Sequence, residues 1–427
     1  MSRRRWLLVT GLVLALSYLL RAGFFTYSLY VTLFLLLAAR LTSGRGLEHL
    51  RHERFCRLRR ARLGETVDVS VELRHEGRWP LPWVLIEDLT PAALPRSGDQ
   101  ALVTSLHPGQ RVRLRYNLTC ARRGYHQIGP VLMESGDLFG LSRHFVAGEQ
   151  AHYLLVHPEI VPIGGYAVAT NRPVGEVRAS RRIFEDPSRL RGVREYRPGD
   201  KLSAVHWRAS ARDGRLQTKV FEPTTMIGAL VCLDMFALAY EQRGVDERSE
   251  LAVSAAASLA TYVAAANQRV GFLSNGRDAA DRALVDPIAI NAPTRAAALR
   301  LARMREQSHR LRPFEVPVGR GPVTLQHILD ATARVELSDF QPVGDMLLRE
   351  FPRLPRDTSV LVLTPRVDRP LLEAAATLKR SGFVMSVFVV GNDKSLLAQR
   401  GRLLAHGVHS YGLSDKRDLA QLALVRL

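Results

Sequence analysis

Asp200, His206 and Ser210 stand close together in the stretch REYRPGDKLSAVHWRASARDGRLQTKVFE, which runs from Arg194 to Glu222. A carboxylate, an imidazole and a hydroxyl are the groups of a nucleophilic triad, so a hydrolase working through Asp200 and His206 is one chemistry this spacing could support. A triad nucleophile sits on a strained turn beside an oxyanion hole, however, and Ser210 lies between Ala209 and Ala211 with no glycine next to it. The pattern therefore favours a polar network that ties a turn, a helical or extended piece and a strand together. The charges agree: thirteen Lys or Arg face seven Asp or Glu between Arg172 and Glu222, a mixture that suits ion pairs. The expectation is an interdomain or partner-binding seam made by Arg194, Asp200, His206, Trp207, Arg208, Ser210, Arg212, Lys219 and Glu222, with no catalytic residue.

Asp234 is the second candidate. It ends the apolar run from Ile227 to Leu233, and ligands of doubly wound sheets gather at the carboxyl ends of strands. A hard cation needs several oxygen ligands, but the residues two and four further on are Phe236 and Leu238. The expectation there is a degenerate metal site. Phosphate-cradling, dinucleotide-binding and zinc-protease motifs are absent from the sequence, so no cofactor is expected. Nucleic acid is not expected either, because the basic runs lack interleaved aromatic side chains.

These residues need elements to hold them. Val67, Val69, Val71 and Leu73, and again Val112, Leu114, Tyr116 and Leu118, alternate with polar neighbours as half-buried strands do, which predicts an antiparallel β sandwich. From Ile227 onward, continuous apolar strands at 227–234, 270–273, 358–363 and 383–390 alternate with helical stretches at 248–268, 294–304, 325–335, 343–351 and 369–380. A last helix is expected over 415–427. That rhythm predicts an α/β domain with a parallel sheet covered on both faces. The chain is expected to divide into residues 1–45, a sandwich over 46–165, a junction segment over 166–225 and the α/β domain over 226–427.

The first segment reads as a transmembrane helical hairpin. Trp6 to Leu20 and Phe24 to Ala39 are apolar, Arg21 separates them, and arginines flank both outer ends, which predicts a cytoplasmic location for both termini. The chain carries a net charge of +19, from 60 Lys plus Arg against 41 Asp plus Glu, which implies an anionic neighbour. The lipid bilayer is the expected one, with acidic headgroups met by Arg51, Arg54, Arg57, Arg59, Arg60 and Arg62. Three widely spaced cysteines fit a reducing compartment.

Glu185-Asp186-Pro187, Arg194 through Asp200, His206 through Arg212 and Lys219 through Glu222 together resemble the signature of a bacterial family, domain of unknown function 58. Arg122-Arg123-Gly124-Tyr125, Gly129-Pro130 and Asp137 through Leu141 resemble the stretch that precedes it in that family. The resemblance implies an inner-membrane protein, its bulk in the cytoplasm, with a membrane hairpin, a β-sandwich-like segment and a von Willebrand factor A-like domain. It also implies partnership with a MoxR-type AAA ATPase in chaperone-like maturation of other proteins. Where von Willebrand factor A domains carry Asp-x-Ser-x-Ser to hold a metal, this chain has Asp234-Met235-Phe236-Ala237-Leu238, and both serines are missing. The expected function is a membrane-anchored, non-enzymatic interaction module. Its rivals are an acidic-lipid-binding protein and the hydrolase.

Overall fold

Alternation in the sequence becomes alternation in burial. In the computed structural model, which describes residues 11, 27–28, 30–35, 47–137, 143–148, 151–163, 185–196, 205–223, 228–240, 244–283, 290–292, 294–302, 312–355, 358–391 and 393–422, every second side chain of the strand over 66–75 points into a core. The chain packs as two compact units: residues 1–158 with 278–310, and residues 159–277 with 311–427.

The first unit begins with β1 (Leu50–Cys56), β2 (Arg60–Arg62), β3 (Thr66–His75), β4 (Leu81–Asp88), β5 (Arg96–Gly98), β6 (Ala101–Leu106), β7 (Arg111–Thr119), β8 (Gly124–Ile128), β9 (Val131–Gly136), β10 (Arg143–Ala147) and β11 (His152–His157). An antiparallel sheet in the order β1-β3-β7-β5 and a second sheet carrying β10-β9-β4-β6 share one apolar core. Val69, Val71 and Leu114 enter that core from one sheet, and Val84, Ile86 and Met133 from the other. A small third sheet has the order β2-β11-β8.

One charged network is sealed within this unit. Arg54 donates to both oxygens of Asp88, Nε to Oδ2 at 2.9 Å and Nη2 to Oδ1 at 2.6 Å, and the two side chains are only 2% and 0% exposed. The Tyr116 hydroxyl donates to Asp88 Oδ2 at 2.6 Å, and the Arg96 guanidinium lies 3.7 Å from the centre of the Tyr116 ring. Arg54 is therefore an internal ligand of Asp88 and cannot meet a lipid headgroup. The strand period turned it inward while Arg51 and Arg57, three residues to either side, stay exposed.

The second unit takes up the chain with β12 (Glu185–Glu195), α1 (Trp207–Asp213) and β13 (Gln217–Pro223), followed by β14 (Gly228–Leu233), α2 (Val245–Ala265) and β15 (Arg269–Ser274). Residues 278–310 then return to the first unit, where β16 (Ile290–Ala292) pairs antiparallel with β10 and α3 (Arg295–Ala302) sets Ala297 and Leu299 against Leu132 and Ala147. Back in the second unit come β17 (Phe314–Gly319), α4 (Pro322–Arg334), α5 (Val343–Glu350), β18 (Thr358–Thr364), α6 (Arg369–Arg380), β19 (Met385–Val390), α7 (Asp393–Ala405), β20 (His409–Leu413) and α8 (Lys416–Ala420).

The sheet of the second unit runs β17-β15-β14-β18-β19-β20, parallel throughout except for the antiparallel edge strand β17. Every residue of β14 is buried because each face has its own core. Ala229, Val231 and Leu233 pack under α2 and α4, while Leu230 and Cys232 pack under α5 and α6. This is the doubly wound arrangement that the alternation of apolar strands and helices predicts.

The expected transmembrane hairpin is not supported. Most of residues 6–39 lies outside the described residues, and among the described residues no helix is long and apolar enough to cross a membrane. From Leu50 the chain forms strands. The two apolar runs, split by Arg21, each fall short of the roughly 20 residues that a spanning helix needs.

Removing one partner of a sealed ion pair strands the other charge. Asp88→Ala is expected to destabilise the first unit by about 3–5 kcal/mol, and Tyr116→Phe by about 1–3 kcal/mol. Urea unfolding of both variants beside the parent chain checks this, and a loss below about 1 kcal/mol for Asp88→Ala would remove the network's structural role.

Candidate functional site

Two places answer to the residues singled out in the sequence: the carboxyl end of β14, and the ribbon made by β12, α1 and β13.

Asp234 follows β14, the strand from which the sheet order extends in both directions. It is 2% exposed, and its carboxylate is met entirely by donors. Asn275 Nδ2 donates to Oδ1 at 2.8 Å, the Phe236 N–H to Oδ1 at 3.1 Å, and the Thr364 hydroxyl to Oδ2 at 2.7 Å. Asn275 directly follows β15 and Thr364 ends β18, so one carboxylate ties the ends of three adjacent strands. Asn275 Nδ2 also donates to Gln341 O at 2.8 Å, and Tyr240 donates its hydroxyl proton to Asp234 O at 2.8 Å. Donors fill the places that a cation's oxygen ligands would take, and among the described residues no group of three or more His, Cys, Asp or Glu could hold a metal. Asn275 and Thr364 escaped the sequence reading. Each stands at the end of a predicted strand, and parallel strands bring such ends together.

Burial pushes the Asp234 carboxyl up to about 6, against the hydrogen bonds that lower it, with Asp368 adding a smaller upward push.

The ribbon is the second place. β12 pairs antiparallel with β13, setting Val193 opposite Lys219, Arg194 opposite Thr218 and Glu195 opposite Gln217. His206 caps α1: its Nδ1 accepts the Ala209 N–H at 3.1 Å, which leaves the ring proton on Nε2. Gly214 closes the helix in the left-handed conformation at φ 69°, where a side chain would be strained, and its N–H reaches Ser210 O. The Ser210 hydroxyl donates to the His206 carbonyl at 3.1 Å and accepts the Gln217 N–H at 2.8 Å. Gln217 Nε2 in turn donates to Asp213 Oδ2 at 2.6 Å. His206 and Ser210 are thus spent on a helix cap and a helix-to-strand tie, and the imidazole is not bonded to the hydroxyl.

Asp200, the third member of the suspected triad, lies outside the described residues. Glu222 falls on β13, and Lys219 is half-buried.

What the ribbon leaves outside is apolar and basic. Trp207 is 66% exposed, with Val193 and Leu216 also open to solvent. Arg208 and Arg212, four residues apart on α1, are exposed and have no ion-pair partner among the described residues. Arg215 pairs loosely with Glu195 at 3.6 Å, and Arg194 Nη1 donates to Glu195 O.

A family model described as "Protein of unknown function DUF58" matches residues 192–304, from the end of β12 through α3. The chain is 29% identical over 220 residues to the "Uncharacterized protein YeaD" of Bacillus subtilis (strain 168), an alignment covering 50% of this chain and 53% of that protein. The chain thus spans about half the length of that curated relative. Among solved structures, the native conformation of E. coli alpha-2-macroglobulin is similar at a TM-score of 0.21 and 17% identity, over 26% of this chain and 7% of that one. A FixG-related protein from Vibrio parahaemolyticus is similar at a TM-score of 0.18 and 8% identity, over 25% and 96% of the two chains. At those scores the likeness extends to neither fold nor function.

The raised Asp234 value fixes the sign of a pH effect. The unfolded carboxyl titrates near 3.8 and the folded one near 6, so between these values the folded chain holds the extra proton. Stability is expected to fall as pH rises through that window, by about 3 kcal/mol in all. Asp234→Asn should abolish this part of the pH dependence, which urea unfolding at about pH 4.5 and pH 7 measures. Equal pH slopes for parent and variant would refute it.

Proposed function

We propose that this chain is a non-enzymatic protein-interaction module and that the exposed face of α1 with its ribbon is the docking element. The observation that carries the reading is the contrast within the ribbon. His206 and Ser210 are consumed by local hydrogen bonds, while Trp207, Arg208 and Arg212 face solvent. Trp and Arg are the side chains that most often anchor interfaces. A two-stranded ribbon is marginally stable in water by itself, and a partner covering it would remove that weakness. The exposed arginines suit an acidic patch on that partner.

By resemblance, the partner is a MoxR-type AAA ATPase, and the process is chaperone-like maturation of other proteins. The reading takes the second unit as a von Willebrand factor A-like domain. A parallel sheet with one antiparallel edge strand, helices on both faces and Asp234 at the end of β14 support it. In such a domain the Asp234 cluster would serve as a neutral replacement for a metal, holding the strand ends without recruiting a ligand. A hydrolase is disfavoured because Ser210 has no base on its hydroxyl.

The test is a titration of the full chain with the purified MoxR-type ATPase of the same cells. Trp207→Ala, and separately Arg208→Ala with Arg212→Ala, are expected to weaken binding roughly tenfold or more. All of these side chains are exposed, so melting temperatures should stay unchanged. No binding by the parent chain, or equal binding by folded variants, would overturn the proposal.

A further inference from the structure

The outer face of the β1-β3-β7 sheet holds an arrangement that the docking reading does not use. Strand register places Phe55 opposite Ser70 and Ser70 opposite Arg115, in one row across three strands. Asp68 stands opposite Asn117 in the next row, and Arg57 follows the Cys56–Val69 pair on the Asp68 side. Side chains in such rows stand about 5 Å apart. Short Ser70 between long Phe55 and Arg115 leaves a depression, part of a cleft of about 630 Å³ that Arg57 also lines.

Charge on this face is only partly paired. Arg51 pairs with Glu76 at 3.6 Å, and Arg111 and Arg113 both pair with Glu72. Arg57 and Arg115 are exposed and have no ion-pair partner among the described residues. The nearby Asp68 carboxylate accepts from the Asn117 amide at 2.9 Å. Arg54, which also lines the cleft, is committed to Asp88. His152 is also among the lining residues, and its Nε2 is buried without a hydrogen-bond partner. Phe55, 54% exposed, supplies an apolar wall beside these donors.

We infer that this depression binds a small oxyanion, a phosphate or carboxylate, carrying an apolar substituent. The anion sits between the Arg57 and Arg115 guanidinium groups, whose forked donors match such oxygens, and the substituent lies against Phe55. The Ser70 hydroxyl is the remaining donor on the floor. Asp68 opposes the anion and limits its affinity.

Calorimetric titration of the full chain with phenyl phosphate, benzoate and inorganic phosphate tests this. Saturable binding of phenyl phosphate or benzoate is expected, and the stronger of the two identifies the oxyanion. Arg57→Ala and Arg115→Ala should each weaken it roughly tenfold or more, while Arg113→Ala, outside the cleft, should not. Asp68→Asn should tighten it, an outcome that general damage to the fold does not produce. Absence of saturable binding, or binding indifferent to both arginines, overturns the site. Equal affinity for inorganic phosphate overturns the role of Phe55.

Discussion

A carboxylate taken out of water has to be met by donors or by a cation, and each unit meets that obligation in its own way. In the first unit Asp88 receives a full positive charge from Arg54 and a phenolic hydroxyl from Tyr116. In the second unit Asp234 receives only neutral donors, from Asn275, Thr364 and the backbone. The difference shows in their chemistry. Burial dominates at Asp234 and raises its carboxyl, because neutral donors lower it less than desolvation lifts it. The cluster therefore fastens three strand ends at the cost of a pH-dependent loss of stability.

The same donors also occupy the end of the strand. The carboxyl end of the central strand is where a doubly wound sheet gathers ligands, and Asp234 has the right type and place for a cation. A carboxylate with three donors on two oxygens has little capacity left for one. The Phe236 N–H meets the carboxylate where an oxygen ligand would be needed. That Phe236 and Leu238 offer no oxygen ligand was legible in the sequence. The partners Asp234 does have were not, because Asn275 and Thr364 arrive from 41 and 130 residues away.

Local patterns were legible and long-range ones were not. Alternation in β3 and β7 and unbroken apolar runs in β14, β18 and β19 mark strands whose faces the structure bears out. The antiparallel edge strand β17 does alternate, with Phe314 and Val316 buried and Glu315 and Pro317 exposed, but it is short and Pro317 interrupts it. The return of residues 278–310 to the first unit is invisible, since three residues of β16 pair with a strand nearly 150 positions earlier. The arginines from 51 to 62 looked like one basic cluster. Pairing within β1 separates them, sending Arg54 inward to Asp88 and leaving Arg51 and Arg57 outside. Composition registered their charge, but only the strand period assigns each one its side.

The same distinction decides how the 194–222 stretch should be understood. Residue types alone suggested acid, base and nucleophile, yet His206 and Ser210 are separated by one helical turn, and in that geometry each finds backbone nearer than the other's reactive atom. Side chains four residues apart on one turn meet readily, so a cap and a tie are what a short helix does with a histidine before it and a serine inside it. With those groups used up, Trp207, Arg208 and Arg212 are among the described side chains of the stretch that stay exposed. An indole and two guanidinium groups on one short helix thus make the outward face of this stretch apolar and basic, while its imidazole and hydroxyl are held by backbone.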